Sequence, residues 1–380
     1  MNGFLSRIKA ALANVAESTG QEPAGQPTPT APVAPAPPVP PAPTSEELEH
    51  QKTRDRYITR KGFIIADLIC EKLPSDEKFL ILDGGARDAH ADPRWSVLDP
   101  KRLRLYGFEP DKPEVDRLNS ESRKRGLDFR YFDGALWSHA TDVTFYENKS
   151  PGGGSCYPQN TTLTHRWKFE NHTDLFLSRD IFYPIGETQW RTTSLDDWSK
   201  TTGIGDLDFI KLNVQGAELE ILKGSATLLD SVVGIMTEIS FVESYHQRPF
   251  FSDIDAFLRT NNFAFFDLIG LHYMGRASSP VTTRHLPGLY PLWGQLIEAH
   301  GVYFKDPIDM AARGVSIDHF DRNKLLKLAC LSEIFGQIEY AFELLIWTEG
   351  LLKTRGDPEG AQLTSDIWSE AEQRYKKYMV

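Results

Sequence analysis

Four polar strand ends carry the chemistry this chain is able to do. Phe79 to Leu82 is an apolar β-type run that ends in Asp83, Gly84, Gly85 and Ala86. Leu103 to Phe108 ends in Glu109, ahead of Pro110. Asp128 to Phe132 ends in Asp133, followed by Gly134 and Ala135. Phe209 to Val214 carries Asn213 and breaks at Gln215 and Gly216, after which Leu219, Ile221 and Leu222 fall at helical spacing. A buried strand, a polar tip, a glycine turn and a helix is the arrangement by which open α/β sheets bind nucleotide-like ligands at their carboxyl edge. A glycine pair lets backbone approach a ligand where a Cβ would clash.

Phosphate is a poor fit to this turn. A P-loop requires Lys-Ser/Thr after its glycines, and the run from Asp83 to His90 has none. The G-x-G-x-x-G spacing of dinucleotide folds is also absent, and Asp88 near the helix start would repel a pyrophosphate. A cationic, phosphate-free cofactor suits the site better than NAD.

Three stretches resemble the FkbM-type methyltransferases, a branch of the S-adenosylmethionine-dependent enzymes. They are Lys211 to Gly224, Gly107 to Pro110, and Thr192 to Asp197, within a resemblance that spans roughly residues 79 to 275. The family usually has Asp where this chain has Asn213, and Gly where it has Ala89. The resemblance implies a Rossmann-like α/β methyltransferase sheet with helices on both faces. It also implies an S-adenosylmethionine site built from Asp83, Gly84, Gly85, Ala86, Glu109, Asp133, Ala135, Asn213 and Gln215. Glu109 would accept from the ribose hydroxyls, as acids at second-strand tips do. Asp83 would orient the turn or reach the ammonium group, and Asp133 would hold the adenine amine. An Asp before Gly also serves as a plain turn residue.

The implied acceptor is a small molecule or glycan, methylated on a hydroxyl of a sugar, glycan or natural-product-like compound. A hydroxyl needs a base beside it near neutral pH. Glu238, ending the run from Gly234, and His246 in the following loop are the candidates. Each has a plainer alternative: Glu238 as a fold-holding carboxylate, His246 as a solvated loop residue. The segment from Ser150 to Asn160 has the composition of a flexible lid. No HExxH or close His pair occurs, so no metal is expected. Two other readings stay open: a Rossmann-like scaffold without catalysis, and a nucleotide-dependent oxidoreductase.

These residues need a sheet to position them. Besides the strands above, Asp142 to Tyr146, Val232 to Ile239 and Phe263 to Leu268 read as strands, alternating with helices in the manner of a mostly parallel sheet. Leu292 to Phe304 reads as a late edge strand, and Ser45 to Glu71 as a helix. The implied organisation is a short amphipathic helix (1–18), a Pro/Ala-rich linker (19–45), the methyltransferase domain (46–310) and a helical appendage (311–380). The first helix, with Phe4, Ile8, Leu12 and Val15 on one face, suits weak docking to a membrane surface or a protein.

A net charge of −11, with Lys and Arg scattered, argues against a nucleic-acid partner. Cys70, Cys156 and Cys330 are odd in number and far apart in sequence, so neither a disulfide framework nor a zinc cluster is expected. A cytoplasmic location follows, peripheral to a membrane if the first helix docks there.

Overall fold

The computed structural model describes residues 62–87, 94–149, 151–170, 175–177, 183–279 and 294–378. The expected N-terminal helix and linker, most of the helix over Ser45 to Glu71, and Asp88 and Ala89 lie outside them. In chain order the elements are α1 (Ile64–Lys72), β1 (Phe79–Gly84), β2 (Leu103–Glu109), α2 (Lys112–Arg125), β3 (Asp128–Asp133), β4 (Ala135–Leu136) and β5 (Asp142–Asn148). Then come α3 (Thr161–Thr164), β6 (Trp167–Glu170), β7 (Leu175–Leu177), β8 (Pro184–Thr193), α4 (Leu195–Thr202), β9 (Phe209–Leu212) and α5 (Glu218–Lys223). β10 (Gly234–Ser240), α6 (Phe251–Thr260), β11 (Phe263–Arg276), β12 (Gln295–Lys305), α7 (Pro307–Ala312), α8 (Arg322–Ile334), α9 (Ile338–Thr354) and α10 (Pro358–Tyr378) complete the chain.

The main sheet has the order β3-β2-β1-β9-β10-β12-β11-β6-β7 among the described residues. From β3 to β10 the strands run parallel; from β12 to β7 every pairing is antiparallel. This is the Rossmann-like methyltransferase sheet that the resemblance implied. The order turns back on itself at β1, which lies between β2 and β9, so the crevice opens beyond Asp83. Crevices at such reversals are where open α/β sheets take ligands.

Two strand expectations are corrected. The run over Leu292 to Phe304 becomes β12, but it lies between β10 and β11 and not at an edge. Its Ile297, Ala299 and Val302 to Phe304 are buried, as an interior strand requires. Asp142 to Tyr146 becomes β5, which leaves the main sheet and pairs with β8 in a separate sheet ordered β4-β8-β5. Phe145 and Trp190 stack across that pair at 3.7 Å between ring centroids, which ties the two strands together.

The helical segment from α8 to α10 covers one face of the main sheet. Leu325, Leu328 and Leu331 share a core with Ile65 and Leu68 of α1 and with Phe79, Phe209 and Phe304 of the sheet. Phe335 stacks on Phe209 at 4.9 Å. Charge reinforces the apolar contact: buried Asp208 accepts from Lys324 at 2.7 Å and Lys327 at 3.0 Å, and also from the backbone N–H of Leu80. Glu333 of α8 accepts from the N–H groups of Ile65 and Ala66, which capping at the start of α1 would otherwise leave open. The same packing brings Cys70 and Cys330 together, although they are far apart in sequence. Both are free thiols, and the hydrogen bond between them lowers Cys70. Among the described residues no helix is long and apolar enough to cross a membrane.

Candidate functional site

Each polar residue of the run from Lys211 to Glu218 has a definite task. Lys211, on β9, donates to Asp83 Oδ1 at 2.7 Å and to the carbonyl of Gly85 at 3.3 Å. Asp83 is 1% exposed, so this pair fixes the floor of the crevice. The Asn213 N–H donates to the Gly84 carbonyl at 3.1 Å, continuing the β1–β9 ladder past its end. Gly85 sits at φ +81°, and a Cβ there would lie 2.1 Å from the Asn213 carbonyl oxygen. Only glycine fits.

Gln215 follows at φ +57°, a left-handed conformation that costs a non-glycine residue energy and persists where surroundings impose it. Here they do. Its side chain donates to Asn213 Oδ1 at 3.2 Å and to Glu238 Oε2 at 2.9 Å. The Tyr245 hydroxyl lies 3.1 Å from its Oε1, and Ser155 Oγ donates to its carbonyl at 2.5 Å. Glu218 then accepts from the N–H groups of Val214 and Gly216, both at 2.9 Å, and so closes the turn into α5.

The stretch from Thr192 to Asp197 is scaffold. Ser194 caps α4 by accepting from the Asp197 N–H at 3.0 Å. Asp196 reaches across to accept from the N–H groups of Thr227 and Leu228.

The expected cofactor residues differ in exposure and in what they touch. Gly85 donates to the Phe108 carbonyl at 3.2 Å, which seats the glycine turn directly beside Glu109. Glu109 is 7% exposed, and burial raises its pKa; the N–H of Asp111 (3.0 Å) and Arg87 (3.4 Å) oppose that rise. Asp133 is the register partner of Glu109 on β3 and is exposed. Ala86 is fully buried and packs in the core near Gly107, so its side chain faces away from solvent. Ala135 is buried too, where β4 joins Thr192 of β8.

Glu238 and His246, the expected bases, part company. Glu238 is 3% exposed and bound on both oxygens, by Gln215 and by Arg248 at 2.8 Å. Burial, then the carboxylates of Glu298 and Glu218, push it up to about 8, with Arg248 opposing. His246 has an exposed side chain, and its backbone N–H is what is engaged, by the Pro158 carbonyl at 2.7 Å. Its neighbour Tyr245 is the one that turns inward.

Further groups on the same sheet face complete the site. His300 is the register partner of Glu238, and its Nε2 lies 3.4 Å from Asn213 Nδ2. Burial, then the charges of Lys211 and Arg94, hold His300 down to about 4. It is therefore neutral, and Nε2 can accept from the Asn213 amide. Glu298, two residues earlier on β12, takes His272 Nδ1 at 2.7 Å. Burial pushes Glu298 up, but this hydrogen bond and nearby positive charge outweigh it and hold the carboxyl below its usual range. The same bond raises His272, which is exposed.

Arg87, Arg248, Glu298 and His272 were not singled out from sequence. One signal was available for Arg248: a carboxylate inside a mostly apolar strand that becomes fully buried needs a cation. The described part of that segment, Pro151 to Asn160, is also not the loose lid its composition suggested. Ser155 exchanges backbone hydrogen bonds with Tyr146, the Tyr245 hydroxyl donates to the Gly153 carbonyl at 2.9 Å, and Asn160 donates to Ser244 and Glu243. It forms a strap across the β9 and β10 tips.

Residues 83–265 match a family described as "Methyltransferase FkbM domain". The 2-O-methyltransferase NoeI of Sinorhizobium fredii is 28% identical over 187 residues, covering 46% of this chain and 70% of that protein. A methyltransferase FkbM from Methylobacillus flagellatus aligns with TM-score 0.33 and 15% identity over 66% of this chain. The alignment spans half of that structure's length (50%). The fibrillarin of Aeropyrum pernix, solved with natively bound S-adenosyl-L-methionine, aligns with TM-score 0.30 and 12% identity, over 63% of this chain and 76% of its own.

Proposed function

From a chain that carries an FkbM methyltransferase domain over residues 83–265, we propose an O-methyltransferase that uses S-adenosylmethionine to methylate a hydroxyl of a sugar, glycan or natural-product-like acceptor. The observation that carries the proposal is the seating of Gly85 against Glu109 where the strand order reverses. The NoeI relative, a 2-O-methyltransferase by name, supports oxygen as the atom methylated.

The residues fit this cofactor. Glu109 is a buried acceptor beside a glycine turn, suited to a ribose diol, and Asp133 stands next to it for the adenine end. Asp83 is already paired with Lys211, so its part is to hold the turn and the β9 tip in place. When bound, S-adenosylmethionine would supply an electrophilic methyl group. The chain's contribution is orientation, which is worth about 7–11 kcal/mol when reacting groups are well placed.

The acceptor proton needs a sink. Glu238 is committed to Arg248 and Gln215, which suits it to rigidifying the turn. Glu298 is better placed: it is ionised near neutral pH, lines the cleft beside Gln215 and Tyr245, and is backed by solvent-facing His272. Glu298 can take the acceptor proton on one carboxylate oxygen, while the His272 Nδ1–H bond to the other keeps the group ionised beforehand.

The test is formation of S-adenosylhomocysteine from S-adenosylmethionine with a panel of methyl pyranosides and oligosaccharides. Product formed only with a hydroxyl acceptor, and lost in Glu298→Gln, supports the proposal. Tight cofactor binding without turnover on any hydroxyl compound would contradict it.

A further inference from the structure

We infer that Cys70 and Cys330 form a peroxide-responsive thiol pair, whose disulfide locks the C-terminal helices onto the sheet. This goes beyond methyl transfer and stands whether or not the chain performs it. Cys70 lies near the end of α1 and Cys330 within α8. Both are free, and their thiols are hydrogen-bonded to one another.

The packing of the two helices puts them there. Glu333 of α8 accepts from the N–H groups of Ile65 and Ala66, at 3.0 and 2.7 Å, at the start of α1. One helical turn onward from Ala66 is Cys70, and about one turn back from Glu333 is Cys330. The helices therefore run antiparallel, with the cysteines facing each other one turn from the Glu333 clasp. The Tyr375 hydroxyl of α10 donates to the same carboxylate, and Ile65, Ile69, Leu328 and Leu331 pack in one core with Cys330. This contact is fixed by the fold and not by a mobile side chain.

The two thiols differ in access. Cys330 is fully buried and Cys70 only partly so, and an oxidant meets Cys70 first. The hydrogen bond from Cys330 lowers the Cys70 thiol against the pull of burial; the Asp99 backbone and the Arg102 charge add to the lowering, and Asp67 opposes it. Thiolate is the form that attacks peroxide, so Cys70 is the reactive partner. Burial, then the Glu218 carboxylate, push Cys156 up, which makes the third cysteine an internal control.

The co-reactant is a hydroperoxide, and the step balances with hydrogen peroxide. The Cys70 thiolate attacks one peroxide oxygen; the S–O bond forms, the O–O bond breaks, and the leaving hydroxide takes up the Cys70 proton as water. Cys330 then attacks the Cys70 sulfur; the S–S bond forms and the S–O bond breaks. The second hydroxide leaves with the Cys330 proton, again as water. Two thiols lose two electrons and the peroxide gains them. Sulfurs already in contact have only to close to the bond length of about 2.05 Å.

The new bond would close a loop that holds every strand of the main sheet, from β1 to β12. Closure of a long loop restricts the unfolded chain most, so the oxidised protein should be the more stable form. α8 already grips the sheet through Lys324 and Lys327 on Asp208, and the disulfide makes that grip covalent.

The test is non-reducing peptide mapping by mass spectrometry on the full chain, reduced, freed of reductant and treated with a few equivalents of hydrogen peroxide. The expected result is a Cys70–Cys330 cross-link at the loss of two hydrogens, with Cys156 still open to alkylation. The melting midpoint should rise by several degrees on oxidation and return with dithiothreitol. In Cys330→Ser, dimedone should trap Cys70 as the sulfenic acid, and the rise in midpoint should be lost.

Unreacted thiols in wild type, Cys70 driven to sulfinic acid without a cross-link, or a cross-link through Cys156 overturns the pair. A cross-link that leaves the midpoint unchanged or lower overturns the lock. The wild-type map decides the pairing by itself if Cys330→Ser fails to fold.

Discussion

Gln215 Nε2 donates to Glu238 Oε2 at 2.9 Å, and this bond couples the left-handed turn after β9 to a buried ion pair on the next strand. Arg248, with its side chain 1% exposed, closes the pair from the other side. The crevice geometry thus depends on a cluster in which Glu218, Glu238 and Glu298 surround one guanidinium.

The pH dependence of stability follows from that cluster. Glu238 is raised by burial to about 8, so the folded state binds its proton more tightly than the unfolded chain, and stability falls as pH rises toward 8. His300 is depressed by burial to about 4, so its contribution is present above the ordinary histidine value and is lost as pH falls toward 4. Urea midpoints across pH 4 to 9 should show both slopes. Glu238→Gln should flatten the alkaline one and leave the acid one; an unchanged alkaline slope would contradict the assignment.

Asn213 stands where the family usually has Asp, and its environment gives a reason. Its amide faces the Nε2 of a neutral His300 at 3.4 Å. Asn213→Asp would place a carboxylate there, which favours a protonated imidazole. Histidine Cε1–H titration by NMR should show His300 rising from about 4 toward the ordinary range, by one unit or more (roughly 1.4 kcal/mol per unit). An unmoved His300 would rule out the contact.

The C-terminal helices are predicted to be inseparable from the sheet. Asp208→Ala leaves Lys324 and Lys327 buried without their shared carboxylate, a defect that typically costs about 3–5 kcal/mol. Denaturant unfolding should show that loss, and a chain ending near residue 306 should aggregate through the exposed Phe79, Phe209 and Phe304 face. A soluble, cooperative truncated chain would contradict the shared core.

Strand tips were legible in sequence because they combine a buried apolar run with a polar residue and a glycine. Asp83, Gly85, Glu109 and Asn213 all announce themselves that way, and the alternation of strands with helices announces a mostly parallel sheet. Partners contributed from afar did not. Arg248 follows β10 on a loop, and His272 and Glu298 meet only because β11 and β12 pair antiparallel. Nothing local in sequence encodes that register. The strap misled for a related reason: its glycines read as flexibility, but Gly154 packs so closely on Phe145 that a Cβ would lie 2.4 Å from the ring. The exposure of His246 against the burial of Tyr245 was equally invisible, since adjacent loop residues have no fixed period.

Calorimetry with S-adenosylmethionine and S-adenosylhomocysteine reads the cofactor crevice at Glu109 without need of an acceptor. Wild type should bind with a Kd on the order of micromolar, and Glu109→Ala should weaken binding by about 10–150-fold, as loss of charge-assisted hydrogen bonds worth about 1.5–3 kcal/mol implies. Absence of binding at millimolar ligand, or equal affinity in Glu109→Ala, would contradict it.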